Sequence, residues 1–396
     1  MSILFEPLQV GNLELKNRFV RSAACESSAT ERGEATDDLV ERYGRLARGE
    51  VGLIITGHMY VHPLGQCFKY QTGIYSDALI PGLKQVTDAV HKEGGKVAFQ
   101  LAHGGVNANR SLIGQTPVGP SNRPRDSLTF LRPKRMTEVQ IQGAIEAFRQ
   151  AARRAVEAGA DGVQIHAAHG YLASQYLSPY YNDREDDWGA SDEKRFRLLR
   201  RVYLAIRKEL PAGMPLLVKM NVHDHTPEEG VTPPLAAKYA SWLVELGIDG
   251  VELSCGTPSP VPWNMIRGDV PVYELVRSFA WWQKPVVRMI LSSAVGKYDV
   301  EEAYNLEAAK AVRPVLDGVP LAVVGGMRTV SRMEQILEQG QADLISLARP
   351  FIREPYLVKQ IREGKTEKAA CQSCNRCLAA LQNDMVVRCY CKGLPA

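Results

Sequence analysis

Ala160-Asp-Gly-Val-Gln-Ile165, Ile248-Asp-Gly-Val-Glu-Leu-Ser254 and Gln341-Ala-Asp-Leu-Ile-Ser-Leu347 are three versions of one entry pattern, a short turn carrying an Asp that feeds straight into an apolar run. Recurrence of this kind points to one supersecondary unit used repeatedly. Outward from these three, Val51-Gly-Leu-Ile-Ile-Thr56, Lys96-Val-Ala-Phe-Gln-Leu101, Pro215-Leu-Leu-Val-Lys-Met220 and Pro320-Leu-Ala-Val-Val324 are further runs of the type buried on both faces of a parallel sheet. Phe19-Val-Arg-Ser-Ala-Ala24 supplies the first strand. Helical spacing fills the intervals, over residues 37–47, 79–93, 137–158, 193–210, 232–246, 302–316, 329–339 and 356–363. Thr36 is placed to cap the first of these, and Thr137 with Gln140 forms a capping box on the third.

Eight strand–helix pairs predict an α/β fold, a (β/α)8 barrel of the TIM type over residues 1–365, with a short Cys-rich extension over 366–396. A chain of 396 residues with 45% apolar content can bury such a core. A formal charge of only +4, from 48 basic and 44 acidic residues with no basic block, excludes nucleic acid and anionic membrane as expected partners. No window approaches the roughly 18 apolar residues of a membrane span, and the start lacks a basic segment followed by an apolar one, so a cytoplasmic protein is expected. Two segments are too long for idle connections. Residues 104–133, heavy in Gly, Pro, Asn and Ser, are expected to be irregular and to act as a lid or substrate loop. A second excursion lies between Cys255 and Lys297.

Function in such a barrel sits at the C-terminal ends of the strands. That rule selects Ala24 with Cys25, Gly57, Gln100, the stretch His166-Ala-Ala-His169-Gly-Tyr171, Lys219, Gly325-Gly326 and Ala348-Arg349. Two imidazoles three residues apart and a phenol two further on can polarise a carbonyl oxygen and deliver a proton beside it. The loops after strands seven and eight of barrels often build a phosphate site. Here they read Val324-Gly-Gly-Met327-Arg-Thr329 and Leu347-Ala348-Arg349-Pro350, with glycines that let backbone approach an anion and an arginine to neutralise it.

Lys16-Asn-Arg18, Gln100-Leu-Ala-His103-Gly-Gly105, the His166-to-Tyr171 stretch, Asn182-Asp-Arg184 and the two phosphate loops, in this order, resemble the old yellow enzyme family of FMN-dependent ene-reductases over residues 4–359. The resemblance implies that FMN supplies the phosphate, that NAD(P)H reduces it, and that Ser22, Ala23, Ala24, Cys25, Gly57, Gln100 and Lys219 contact the flavin ring. It further implies that His166 and His169 bind a substrate carbonyl while Tyr171 protonates the α carbon, and that members often form homo-oligomers. Two positions depart from the family: Lys219 replaces a common arginine, losing its planar fork, and Ala23 replaces a common proline.

Of eight cysteines, five crowd the last 26 residues. Cys371-Gln-Ser-Cys374-Asn-Arg-Cys377 followed by Cys389 has cluster-like spacing and is similar to the iron–sulfur segment of dienoyl-CoA reductases and trimethylamine dehydrogenases. A [4Fe-4S] cluster is the expectation, with zinc or an unoccupied remnant as alternatives and Cys391 as the spare thiol. His223-Asp-His225, which has the look of a metal pair, reads better as a polar loop. No histidine lies between Cys255 and Lys297, which speaks against a dienoyl-CoA substrate. The rival readings are a flavin-dependent amine dehydrogenase, an aldolase-like barrel with Lys219 as Schiff base, and a non-catalytic electron carrier.

Overall fold

The computed structural model describes residues 2–123, 132–258 and 262–395. Among the described residues eight parallel strands form the ring: β1 (Phe19–Arg21), β2 (Leu53–Ile55), β3 (Val97–Ala102), β4 (Gly162–Ala167), β5 (Leu216–His223), β6 (Gly250–Cys255), β7 (Leu321–Val324) and β8 (Leu344–Leu347). Their order is β2-β1-β8-β7-β6-β5-β4-β3, and a pairing of β2 with β3 closes the ring. This is the predicted barrel. Its helices include α1 (Asp37–Arg48), α2 (Ile80–Lys92), α3 (Glu138–Glu157), α4 (Asp192–Arg207) and α5 (Pro233–Glu245), packed on the outside. Thr36 caps α1, and the capping box on α3 forms as its residues predict.

The repeated entry pattern has a physical cause. Asp161, Asp249 and Asp343 each accept the backbone N–H that opens the neighbouring strand, from Val97, Leu216 and Leu321, at 2.8 Å in every case. In return each Asp donates its own N–H to the carbonyl of that same residue. Basic side chains stand beside all three carboxylates: His91 and Lys96, Arg207, and Arg313. The acid therefore fixes the register of adjacent strands at the lower rim. An N-terminal hairpin, Leu8–Val10 with Leu13–Leu15, adds a plug there: Val10 and Leu15 pack with the barrel-interior residues Val20, Leu53, Ala98 and Leu217. The other end of the barrel is left open for ligands.

Three expectations need correction. The first strand ends at Arg21 instead of running to Ala24. The expected helix over 302–316 reduces to Leu306–Ala309 and a short turn at Arg313–Val315, since Pro314 offers no N–H to the Lys310 carbonyl. Residues 104–133 are not wholly irregular. Val118–Gly119 pairs with Lys134–Arg135, and the buried Arg184 guanidinium donates to the carbonyls of Pro120 and Met136 on either side. The middle of the expected lid, 124–131, lies outside the described residues. After β7, α6 (Val330–Glu338) packs on the core; beyond β8, α7 (Leu357–Arg362) closes the barrel wall and the tail carries α8 (Arg376–Gln382). The tail lies along the barrel mouth, with Ala369 N–H on the Arg328 carbonyl and Val387 N–H on that of Glu26. No helix among the described residues is long and apolar enough to cross a membrane.

Candidate active site

A cavity of about 750 Å³ opens at the C-terminal ends of the strands. Because β1 stops at Arg21, the chain turns across the mouth there, and Ser22, Ala23, Ala24 and Cys25 form one wall. Gln100, His166 and Lys219 reach the same cavity from β3, β4 and β5. His169 and Tyr171 come from the turn after β4, Gly325, Gly326 and Met327 from the loop after β7, and Ala348 and Arg349 from the end of β8. Gly57 is the exception. Its N–H donates to Glu26 Oε1 at 3.0 Å and to Tyr43 Oη at 2.9 Å, behind the wall, and the next residue, His58, lines the cavity instead.

The floor is a buried polar relay. Glu252 Oε1 accepts from Ser22 Oγ (2.6 Å), Ser346 Oγ (2.7 Å) and Lys219 Nζ (3.2 Å), and Oε2 accepts from Gln164 Nε2 (3.0 Å). Lys219 Nζ also donates to Ser22 Oγ at 2.7 Å. Burial raises the Glu252 carboxyl, but Lys219 and the three neutral donors outweigh it and hold it below its ordinary range. Such a pair fixes geometry more than it stabilises the fold. Gln100 Nε2 donates to Gln164 Oε1 at 2.6 Å, which leaves Gln100 Oε1 fully buried without a donor.

On the side wall the rings of His166 and Tyr171 lie 4.6 Å apart and those of His166 and His169 5.3 Å apart. Ala168 N–H donates to His166 Nδ1 at 3.3 Å, so the neutral ring carries its proton on Nε2. His169 sits at φ +56°, its N–H on Asn221 Oδ1 and its Nε2 2.7 Å from Ser254 Oγ. Burial first, then the neighbouring imidazoles and Lys219, pushes both imidazoles well below their ordinary pKa, so each is neutral at pH 7. Burial, then Glu26, raises the Cys25 thiol to about 12, so it is present as a thiol and not a thiolate.

At the opposite end Gly326 has φ +68°, and a Cβ there would stand 2.2 Å from the Glu301 carbonyl oxygen, so only glycine fits the turn. Arg349 Nη1 donates to Arg267 O (2.7 Å) and Asn375 Oδ1 (2.5 Å), while Arg328 donates to Cys371 O and Ser373 Oγ. Neither guanidinium has a carboxylate within ion-pair distance among the described residues. Arg328 is depressed by burial first, with Arg349 contributing. Two nearby cations without a directly paired carboxylate suit an anion, although Glu302 acts on Arg328 from farther off. The donor set therefore fits FMN: the orphaned Gln100 acceptor suits the imide N–H of the ring, Lys219 its electron-rich edge, and Arg328 with Arg349 the phosphate.

The tail departs from expectation. Cys371, Cys374, Cys377 and Cys389 line a small recess with Cys391, but among the described residues no three His, Cys, Asp or Glu side chains are gathered to hold a metal ion. Cys389 is exposed, while Ser373 and Asn375, both at positive φ, are tied to Arg328 and Arg349. The thiols so placed do not fit an iron–sulfur cluster. In the His223-Asp-His225 loop, Asp224 accepts from Asn221 Nδ2 (2.7 Å) and Val231 N–H (2.8 Å), as a structural loop would.

Sequence reasoning missed Glu252, Gln164, His58 and Arg328. Glu252 and Gln164 were legible as polar residues inside otherwise apolar strands, and His58 as the residue after a strand end already chosen. Arg328 stood within the quoted phosphate loop.

Among known proteins, the chain is 31% identical over 379 residues to 4,4'-dithiodibutanoate disulfide reductase of Rhodococcus erythropolis, covering 96% of this chain and 93% of that protein. Its fold is similar to the old yellow enzyme homologue of Zymomonas mobilis, with a TM-score of 0.72, 25% identity, and coverage of 93% of this chain and 95% of that one. Histamine dehydrogenase from Rhizobium sp. 4-9 superposes with a TM-score of 0.81 at 25% identity over 98% of this chain, which spans about half (52%) of that longer protein. The family model described as "NADH:flavin oxidoreductase / NADH oxidase family" matches residues 3–253 and 274–368, and the chain that folds into this barrel and cavity belongs to that family.

Proposed function

We propose that the protein is an FMN-dependent oxidoreductase that reduces a carbon–carbon double bond activated by a carbonyl, with NADH or NADPH as electron donor. The observation that supports it is the meeting of two neutral imidazoles and a phenol on one wall of a cavity whose other end suits a flavin phosphate. Bound FMN, once reduced by the nicotinamide, would supply the hydride for the β carbon. The remaining work falls to side chains. His166, with its proton on Nε2, and His169 donate hydrogen bonds to the substrate carbonyl oxygen and take up the charge that develops there. Tyr171 gives its proton to the α carbon. Val287, Ile290 and Leu291 of the second excursion, with Leu378 and Leu381 of α8, wall the cavity with apolar surface that keeps water from the reacting atoms. A cytoplasmic location, homo-oligomeric assembly and the division at residue 365 belong to the same proposal.

Tyr171→Phe tests it. Reduction of the flavin by NAD(P)H should be nearly unaffected in stopped flow, while reoxidation by an enone slows by about 10²–10⁴-fold and reoxidation by a quinone, which needs no carbon protonation, is spared. Equal slowing with both acceptors removes Tyr171 as proton donor.

The disulfide-reducing relative favours a second reading, in which bound FMN would supply a hydride, two electrons with one proton, to a disulfide, solvent would supply the second proton, and two thiols would leave. Anaerobic single turnovers with 4,4'-dithiodibutanoate and with an enone separate the two by which acceptor reoxidises the flavin. Histamine added to the oxidised enzyme tests the amine-dehydrogenase alternative in the same apparatus. The Schiff-base alternative loses support because the Lys219 amine is ion-paired with Glu252 at 3.2 Å and is not free to attack a carbonyl.

A further inference from the structure

We infer that His58 is a positioning residue for proton transfer: a neutral imidazole locked with its proton on Nε2 donates to Tyr171 Oη, turns the phenol's own proton into the cavity, and stabilises the phenolate left behind. The inference rests on the reading of Tyr171 as proton donor.

The lock is built by Gln71. Its Oε1 accepts two backbone N–H groups, from Cys67 at 2.8 Å and Phe68 at 3.3 Å, so the other end of the amide must be the NH₂. An amide turned the other way would set its own hydrogens against two donors. The NH₂ donates to His58 O at 2.9 Å and to His58 Nδ1 at 2.7 Å. Gln71 is 1% exposed, so no solvent relaxes this arrangement. With Nδ1 accepting, the single proton of a neutral imidazole resides on Nε2. Burial keeps the ring neutral by lowering its pKa to about 4, against a weaker opposing pull from Glu26.

Nε2 of His58 lies 3.2 Å from Tyr171 Oη, and the two rings are 4.9 Å apart. Because His58 can only donate at that nitrogen, the phenol oxygen must accept, and its own proton points elsewhere. The cavity is what lies there, since both His58 and Tyr171 line it. The reduction then balances: two electrons and one proton arrive at the β carbon as hydride, one proton passes from Tyr171 to the α carbon, and the phenolate recovers a proton from solvent. A donor already aimed at the phenolate oxygen favours the charged product of that step.

The test is a double-mutant cycle on the holoenzyme, reading enone and quinone reduction in parallel. His58→Phe should lower the enone-to-quinone rate ratio by about 10–100-fold in the wild-type background, the range for loss of a hydrogen bond to a charged group. In the Tyr171→Phe background it should change that ratio by less than about twofold. His58→Gln, whose amide nitrogen reaches about as far as imidazole Nε2, should restore the ratio to within about threefold. A His58→Phe effect that persists undiminished without the Tyr171 hydroxyl overturns the inference. The bond is read independently by ¹⁹F NMR of 3-fluorotyrosine at position 171, whose phenol pKa should rise in His58→Phe and not in His58→Gln. An unshifted phenol in His58→Phe overturns the bond itself, whereas an unslowed Tyr171→Phe overturns the donor reading on which the catalytic part rests.

Discussion

Lys219→Met should destabilise the protein by an amount that depends on pH, and the dependence follows from the buried relay. Lys219 and Glu252 are each 2% exposed, so neither charge is screened by solvent. Removing one member of such a pair typically costs about 3–5 kcal/mol, because the other is left charged and buried. In the wild type the folded-state pKa of Glu252 is depressed, so its contribution is present above the unfolded value of about 4.3 and is lost only as pH falls through the lower folded value. In Lys219→Met burial dominates and the carboxyl pKa rises above that of the unfolded chain. The sign then reverses, and the variant loses stability as pH rises through its new pKa. The deficit should be about 3–5 kcal/mol at pH 8 and shrink toward pH 5, by up to about 1.4 kcal/mol per unit below that pKa. Urea unfolding of the holoenzyme, followed by circular dichroism and flavin release between pH 5 and 8, measures this. Lys219→Met/Glu252→Gln should recover at least about 2 kcal/mol of the loss, since the uncompensated charge is gone. A deficit that does not vary with pH, or a double variant as unstable as the single, would refute the reasoning.

Arg349→Ala and Arg328→Ala should each weaken FMN retention by about 1.5–3 kcal/mol while the barrel stays folded, as read by flavin titration of the apo-protein; unchanged affinity removes that arginine from the phosphate site. Enone binding should be flat from pH 6 to 8, because His166 and His169 are already neutral there; a KM that titrates near 6.5 would show an imidazolium at the carbonyl instead. With a maleimide, Cys389 should be alkylated first and the buried Cys67 among the last. Joint protection of Cys371, Cys374, Cys377 and Cys389 in anaerobic protein, released by an iron chelator, would show that the tail closes on a metal after all.

The barrel was legible because its strands are buried on both faces and so read as continuous apolar runs, and because the same Asp had to recur wherever a strand needed its first N–H held. The strand-end rule then found most of the cavity wall. It failed at Gly57, where two adjacent residues compete for one strand end and only the backbone direction decides between them. Glu252 escaped notice because a single carboxylate in an apolar strand acquires meaning only from Ser22, Lys219 and Ser346, which lie far from it in sequence and meet it through the closed ring. Thiol spacing in the tail marks which side chains are able to meet but not where the loop carries them. There the local turns are set by Ser373 and Asn375, which spacing does not weigh.

The three entry aspartates join strands in twos, β3 to β4, β5 to β6 and β7 to β8. Each such pair carries its own means of alignment, and the partners are separated by 64, 33 and 22 positions along the chain, whereas the β1–β8 edge joins the first strand to the last. A barrel made of self-aligning pairs can be lengthened, duplicated or recombined between pairs without losing its frame. The upper rim has no part in those three bonds. Strand register below and cavity chemistry above thus rest on different residues, so a substitution in the cavity wall leaves the carboxylate-held frame in place.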